Sequence, residues 1–282
     1  MIEIIKAIIY GIVEGITEWL PISSTGHLIL VESLLPFEGT SEDFFGMFDV
    51  VIQLGAILAV VVLFWGKIWP FALTRQEREK TGGSYFKKNI WILWFKILVS
   101  CVPAAVIGIL FDDVFDALFY NPTSVAIALI VFGIAFILIE NWNRGRRVKI
   151  RRLSEITYQT ALLIGVFQLI AAVFPGTSRS GATIVGALLI GVSRTVAAEY
   201  TFFLAIPVMF GASLLKVVKF GFEFAPLELT LLAVGTVVSF VISLFVLRFL
   251  MGYIKKHNFK IFGWYRIVLG IIVLLYFGLL QK

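Results

Sequence analysis

Two short stretches of this sequence concentrate polar and ionisable side chains within otherwise apolar surroundings. The first, EGITEWLPISSTGH at residues 14–27, contains two glutamates, a run of three hydroxyl residues and a histidine. The second, PGTSRSG at residues 175–181, contains a single arginine, Arg179, among small and hydroxyl residues. Ionisable side chains in apolar segments are costly and usually have a function. The two stretches therefore predict a site that combines carboxylates, hydroxyls, an imidazole and a guanidinium.

The two glutamates suggest either a shared proton or a bound cation. Glu14 and Glu18 are four residues apart, so in a helix they lie on one face, where like charges repel. Burial favours the neutral form of a carboxyl group, so the pair either shares a proton or is bridged by a cation. A divalent cation, Mg²⁺ or Ca²⁺, takes oxygen ligands and links carboxylates to substrate phosphates. The competing interpretation is a proton or sodium relay in a transporter.

The remaining polar residues suit an anionic substrate. The planar guanidinium of Arg179 can bind two phosphate oxygens at once. The serines and threonines of both stretches are natural N-caps for the helices that follow, and helix N-termini bind anions. His27 lies within a few residues of Ser24 and Thr25, so it can serve as a general acid or base for a hydroxyl nucleophile.

The composition indicates that these residues belong to an integral membrane protein. Hydrophobic residues make up 60% of the 282, charged residues only 15%, and the mean hydropathy is +0.97. Cys101 is the only cysteine, which excludes an internal disulfide. The net charge of +6 resides in loops, so it predicts topology and no nucleic-acid partner. Six helical crossings are expected, at roughly 47–65, 90–111, 123–140, 195–217, 228–249 and 263–280.

The distribution of lysine and arginine predicts the topology. Loops 66–89, 141–155 and 248–262 are rich in these residues and are expected in the cytoplasm. Loops 36–46 and 112–122 contain neither residue and are expected outside.

Two apolar stretches are not assigned to crossings, residues 2–35 and residues 156–192. Proline, glycine and hydroxyl residues interrupt each of them, which predicts two re-entrant helical hairpins whose irregular tips are buried in protein.

The two predicted hairpins resemble each other in sequence. Aligning Pro21 with Pro175 also pairs Gly11 with Gly165 and Glu14 with Gln168. With the opposite orientations predicted from the loops, this indicates an inverted-topology repeat. We therefore predict an all-α polytopic membrane protein, with six transmembrane helices and two re-entrant hairpins. Its single domain, residues 1–282, would comprise pseudo-repeats 1–140 and 156–282, joined by the basic cytoplasmic loop 141–155.

EGITEWLPISSTGH followed by PGTSRSGAT resembles the two signature motifs of the undecaprenyl-diphosphate phosphatase family, the bacitracin-resistance phosphatases. The resemblance implies a multi-pass enzyme of the bacterial inner membrane. Such an enzyme removes the terminal phosphate from a C55 isoprenyl diphosphate and regenerates the carrier lipid for peptidoglycan precursors. The implied catalytic residues are Glu14, Glu18, Ser24, His27 and Arg179, and the two glutamates are those already expected to bind the divalent cation. The implied substrate-binding residues are Ser23, Thr25, Gly26, Thr177, Ser178 and Ser180.

The leading hypothesis is therefore a metal-assisted phosphohydrolase. Either Ser24 attacks the terminal phosphorus while His27 or a glutamate handles the proton, or the glutamates activate water directly. The alternative is a secondary transporter or lipid flippase on the same inverted-repeat scaffold. The expected partners are the lipid substrate and the bilayer, with a homodimer left open. Because both ends of the first hairpin are predicted outside, the active site is expected to face the extracytoplasmic side.

Overall fold

The computed structural model describes residues 1–279, with the side chains of residues 109, 112, 113 and 116 left aside. Residue 280 of the last predicted crossing and the end of the second pseudo-repeat lie outside the described residues. The regular secondary structure of these residues is α-helical, apart from isolated β-bridges and one 3₁₀ turn at Leu153–Glu155. The helices are α1 (Ile2–Thr17), α2 (Ser24–Leu34), α3 (Phe44–Val51), α4 (Gln53–Ile68), α5 (Arg75–Lys80), α6 (Lys88–Phe119), α7 (Pro122–Trp142), α8 (Tyr158–Val173), α9 (Arg179–Leu189), α10 (Arg194–Phe220), α11 (Pro226–Tyr253) and α12 (Lys260–Leu279).

Six helical segments of the described chain are long and apolar enough to cross a membrane, which confirms the predicted all-α polytopic class. The first combines α3 and α4, and the second covers the first 21 residues of α6. The segments are Phe44–Ile68, Lys88–Gly108, Pro122–Trp142, Arg194–Phe220, Pro226–Tyr253 and Lys260–Leu279.

The prediction of a loop at residues 112–122 is wrong in its extent. Helix α6 continues to Phe119, and only Tyr120 and Asn121 separate it from α7. Between Gly108 and Pro122 the sequence contains no proline or glycine that would end the helix. The Asn121 side chain then caps α7 by accepting a hydrogen bond of 2.9 Å from the Ser124 backbone N–H. The connection between the two helices is therefore a short turn.

Each of the two broken segments forms a pair of short helices that returns to the end of the molecule where it began. Lys6 Nζ, early in α1, donates to the Pro36 carbonyl just after α2, at 2.6 Å. The Lys149 N–H, ahead of α8, donates to the carbonyl of Gly191, just after α9, at 2.9 Å. That the two pairs enter a bilayer from opposite faces stays a prediction.

Hydrogen bonds near the helix ends distinguish two opposite ends of the molecule. At the basic end, the Glu140 carboxylate accepts hydrogen bonds from Arg194 Nε at 2.9 Å and from the Phe259 N–H at 3.0 Å. At the other end, Ser41 Oγ donates to the Glu228 carboxylate at 2.7 Å. We call the first of these the basic end, because loops 66–89, 141–155 and 248–262 adjoin it.

Each short helix pair packs against a long helix from the other half of the chain, with α1 on α11 and α8 on α6. Glycine permits both close approaches. A Cβ atom at Gly11 would lie 2.6 Å from the Gly235 carbonyl oxygen, and one at Gly165 would lie 2.4 Å from the Ser100 carbonyl oxygen. The two glycines that the sequence alignment pairs thus have equivalent neighbours. The repeat itself stays a prediction that this packing supports.

Candidate active site

The turns that join α1 to α2 and α8 to α9 have the same backbone geometry. Ser23 and Ser178 have φ angles of 75° and 70°, and they are the described non-glycine residues with positive φ. Each caps the following helix, since Ser23 Oγ accepts from the Gly26 N–H at 3.3 Å and Ser178 Oγ from the Gly181 N–H at 3.1 Å. The capping predicted from the sequence is confirmed at these serines. Such positive φ angles cost of order 1–3 kcal/mol each and cluster at functional sites.

Arg266 of α12 holds the two turns together. Its side chain is fully buried and donates to the Pro21 carbonyl of the first turn at 3.4 Å. It also donates to the Gly176 and Thr177 carbonyls of the second turn, at 2.9 and 2.5 Å. The sequence analysis missed this residue, although an arginine inside a predicted crossing was the signal that could have found it.

The two polar stretches meet at an ion pair between Glu18 and Arg179. Arg179 Nη2 lies 2.8 Å from Glu18 Oε1, and Nη1 donates to the Thr201 carbonyl of α10 at 3.0 Å. Ser180 Oγ donates to the Glu18 backbone carbonyl at 3.2 Å. The structure therefore brings the predicted site residues of both stretches together, and it gives Arg179 a carboxylate partner.

The structure pairs Ser24 with Glu18. Ser24 Oγ donates to Glu18 Oε2 at 3.1 Å. His27 Nδ1 lies 2.7 Å from the Ser23 carbonyl, so it carries the proton, and Nε2 accepts from the Tyr265 hydroxyl at 2.7 Å when the ring is neutral. The partnership between His27 and Ser24 that the sequence suggested is not the arrangement in this structure.

Glu14, Gln168 and Thr177 are among the buried polar side chains of the described residues that lack hydrogen-bond partners. Glu14 is fully buried and both carboxylate oxygens are unpaired. The Thr177 hydroxyl and both polar atoms of the Gln168 amide are in the same situation. The sequence alignment pairs Gln168 with Glu14, so equivalent positions of the two helix pairs present unpaired polar groups. A buried polar group without a partner is costly, which points to a ligand or a proton at these positions.

The other predicted residues lie in the first turns of α2 and α9. Thr25 and Gly26 follow Ser24 at the start of α2, where a Cβ atom on Gly26 would lie 2.9 Å from a Leu129 methyl carbon. Ser178 and Ser180 are joined by a hydrogen bond of 3.1 Å between their hydroxyls. All of the predicted binding residues thus belong to the two turns or to the helix N-termini that follow them.

Comparison with known proteins identifies the family. The family model described as "Bacitracin resistance protein BacA" matches residues 7–272. The chain belongs to this family. It is 64% identical over 278 residues to the undecaprenyl-diphosphatase of Desulfitobacterium hafniense, covering 99% of this chain and 97% of that protein. It is 63% identical over 276 residues to undecaprenyl-diphosphatase 1 of Clostridium acetobutylicum, covering 98% of each, and 59% identical over 274 residues to an undecaprenyl-diphosphatase of Enterococcus faecalis, covering 97% of each.

The acidic pair of this family member suits a divalent cation held jointly with a substrate. The described residues contain no group of three His, Cys, Asp or Glu side chains that could hold a metal ion by themselves. Mg²⁺ in enzymes is commonly bound by one or two carboxylates together with substrate phosphates and water. The unpaired, buried carboxylate of Glu14, one helical turn from Glu18, fits that mode.

Proposed function

We propose that this chain hydrolyses undecaprenyl diphosphate to undecaprenyl phosphate and inorganic phosphate. This reaction recycles the carrier lipid for peptidoglycan synthesis and gives resistance to bacitracin. Beyond family membership, the observation that carries the proposal is the junction of Glu18, Ser24 and Arg179 at the N-termini of two helices. The Glu18 carboxylate contacts both the Ser24 hydroxyl and the Arg179 guanidinium, which supports a base shared between a nucleophile and an anion-binding group.

The diphosphate binds at the two helix N-termini. Backbone N–H groups at the starts of α2 and α9, together with the Ser23, Thr25 and Thr177 hydroxyls, offer donors to phosphate oxygens. Arg179 exchanges its contact with Glu18 for two phosphate oxygens, which its planar fork suits better than a lysine would. This exchange frees Glu18 as the substrate enters.

Ser24 is the nucleophile in this mechanism and Glu18 is its base. Glu18 Oε2 takes the proton from Ser24 Oγ as an O–P bond forms to the terminal phosphorus. The bond from that phosphorus to the bridging oxygen breaks, and undecaprenyl phosphate leaves. Water then attacks the phosphoserine, which releases inorganic phosphate and returns the proton to Ser24 Oγ. His27 positions the turn through its bond to the Ser23 carbonyl.

Glu14 and Glu18 would hold the divalent cation, Mg²⁺ or Ca²⁺. Such a cation neutralises charge on the phosphate oxygens and orients the substrate. The support for this assignment is the fully buried Glu14 carboxylate, whose oxygens are unpaired. We propose the same acidic pair whether the attacking group is Ser24 or water.

A purified sample tests the function and its nucleophile. Protein in detergent should release phosphate from a long-chain prenyl diphosphate, whereas a transporter or flippase would release none. A phosphoserine trapped at Ser24 supports the covalent route. Direct incorporation of labelled water oxygen into phosphate, with no label in the protein, would replace that route with water attack.

We further propose that the chain resides in the bacterial inner membrane and that the reaction occurs at its extracytoplasmic face. The support is the charge of the loops, since the first helix pair returns to the end opposite the basic loops. In a background lacking Cys101, cysteines at positions Ser41 and Asn121 should react with an impermeant thiol reagent added to intact cells. A cysteine at position Arg147 should not react. The reverse labelling pattern would contradict this orientation.

A further inference from the structure

A cavity of about 480 Å³ lies at the basic end, and none of its lining residues belongs to the two catalytic turns. Its walls come from the end of α4, the first turns of α6 and α10, and the segment that precedes α8. Lys67, Lys96, Arg151 and Arg152 line it, and Glu199 is the one carboxylate among its lining residues. We call it the basic cavity. Its lining contains more positively than negatively charged side chains, which favours the binding of an anion.

Lys96 is the feature that separates this cavity from an ordinary basic loop. The residue as a whole is only 8% exposed although it borders the cavity, and Nζ donates to one acceptor among the described residues, the Ser154 carbonyl at 3.5 Å. It lies eight residues after the start of α6, which is about 12 Å along the helix. A lysine that merely reaches for the headgroup region would be exposed at its tip. A buried ammonium without a carboxylate is costly unless an anion accompanies it.

The other charges of the basic cavity leave that positive charge uncompensated. Glu199 is already paired with Lys67, whose Nζ lies 2.7 Å from Oε1. Among the ion pairs of the described residues, none engages the side chains of Arg151 or Arg152, and both residues are exposed at the cavity mouth. The neighbouring cavity at the start of α10 lacks such a buried, unpaired cation, because its Arg194 is paired with the buried Glu140 and its other cations, Arg146, Arg147 and Lys255, are exposed.

The apolar part of the lining indicates what kind of anion fits. Ile90 and Leu93 of α6, Leu153 and Val196 form the remaining walls beside the charged groups. Helix α6 is the least buried of the six candidate spans, with 17% of its apolar window inside the protein, so its outer face borders the lipid. A ligand with a charged head and an apolar tail matches both parts of the cavity.

We propose that the basic cavity binds the headgroup of a lipid phosphate monoester. Lys96 contacts the phosphate as a point charge, Arg151 and Arg152 close over its outer oxygens, and the apolar walls take the first carbons of the chain. The site is distinct from the catalytic one. Helix α10 connects the two, since Glu199 faces the cavity and the Thr201 carbonyl binds Arg179.

Native mass spectrometry of the purified full chain with farnesyl phosphate, farnesol and inorganic phosphate tests the proposal. The measurement is made in an Arg179→Ala background, which removes the main phosphate contact of the catalytic turns. Farnesyl phosphate should still bind to the Arg179→Ala protein. Lys96→Met should weaken that binding about tenfold or more, as expected for the loss of a hydrogen bond to a charged group.

Arg151→Gln combined with Arg152→Gln gives a second test in an exposed segment, where folding is not at risk. This pair of substitutions should also weaken the binding of farnesyl phosphate. Arg75→Gln should not, because this arginine begins α5 outside the cavity lining and 90% of its side chain is exposed. Unchanged binding in both cavity variants, or loss of all binding in Arg179→Ala alone, would overturn the site. Equal binding of inorganic phosphate would overturn the lipid assignment, and equal binding of farnesol would overturn the headgroup assignment. Because no turnover is measured, these outcomes do not depend on the proposed hydrolysis.

Discussion

Gly165→Ala should destabilise the protein, because the contact between α8 and α6 has no room for a methyl group. The added Cβ atom would lie 2.4 Å from the Ser100 carbonyl oxygen and 2.9 Å from its Cα atom. Both are backbone atoms, so no side chain can rotate away. Ordinary contact begins near 3.4 Å, so the helices must separate by about 1 Å.

The expected cost follows from three contributions. Overpacking of this kind costs about 1–3 kcal/mol. Separation of the helices also stretches the 2.6 Å hydrogen bond from Ser100 Oγ to the Ala161 carbonyl, which contributes about 1 kcal/mol. The higher helix propensity of alanine returns about 1 kcal/mol. We therefore expect a net loss of about 1–3 kcal/mol in the free energy of unfolding. Turnover should fall as well, because α8 leads directly into the turn that carries Arg179.

Thermal unfolding in detergent, followed by tryptophan fluorescence, measures the effect. Gly211→Ala is the matched control, since nothing lies within 4 Å of a Cβ atom at that position of α10. It should unfold at the wild-type temperature or slightly above. If the two variants unfold at the same temperature and keep the same phosphate release, the close packing of α8 on α6 is not what this structure implies.

Three further predictions concern the catalytic turns. Arg179→Lys should reduce kcat/KM for a prenyl diphosphate by about 100-fold although the charge is kept, as expected when one hydrogen-bond donor to the transition state is lost. Near-normal turnover in a folded variant would count against bidentate binding of phosphate by Arg179. Glu14→Gln should weaken the dependence of phosphate release on added divalent cation and raise the unfolding temperature, because it removes an unpaired buried carboxylate. Glu18→Gln should lose most phosphate release at every cation concentration, because Glu18 is also the base for Ser24. A wild-type cation titration in Glu14→Gln, or near-normal turnover in Glu18→Gln, would contradict these roles. Arg266→Lys should abolish turnover and lower the unfolding temperature, because one ammonium cannot donate to both turns. The circular dichroism signal of the helices should persist. Arg248→Lys, at an exposed arginine, should behave as wild type, and equal behaviour of the two variants would show that Arg266 does not join the turns.

The elements of this fold could be predicted from the sequence where the signal is local. A membrane-spanning helix is a long run of apolar residues, and the apolar runs in the sequence predict all six spans of the described chain. The capping serines Ser23 and Ser178 follow from the type of residue that precedes a helix after a proline-containing turn. The predicted loop at 112–122 is too long, because the absence of lysine and arginine indicates the side of the membrane but does not end a helix, and no proline or glycine lies between Gly108 and Pro122.

The contacts within the site could not be predicted in the same way, because they join residues that are distant in the chain. Tyr265 lies 238 residues from His27, and Glu18 lies 161 residues from Arg179. Spacing along the chain makes Ser24 and His27 neighbours, but the His27 imidazole contacts the Ser23 carbonyl and the Tyr265 hydroxyl of α12. Which polar groups pair is decided by the packing of the helices, and that packing is not visible in a single sequence.

The position of Arg266 has a consequence for how the enzyme is made. The carbonyls that it binds belong to residues synthesised 245 and 90 positions earlier, so both turns emerge from the ribosome before their common partner exists. Until α12 has entered the membrane, the carbonyls of Pro21 and Gly176 must find other donors. Activity during biogenesis should therefore begin in one step, when the final helix inserts, rather than rising as successive helices are added. A chain arrested just before residue 266 would hold both signature motifs in the membrane and still have no assembled active site.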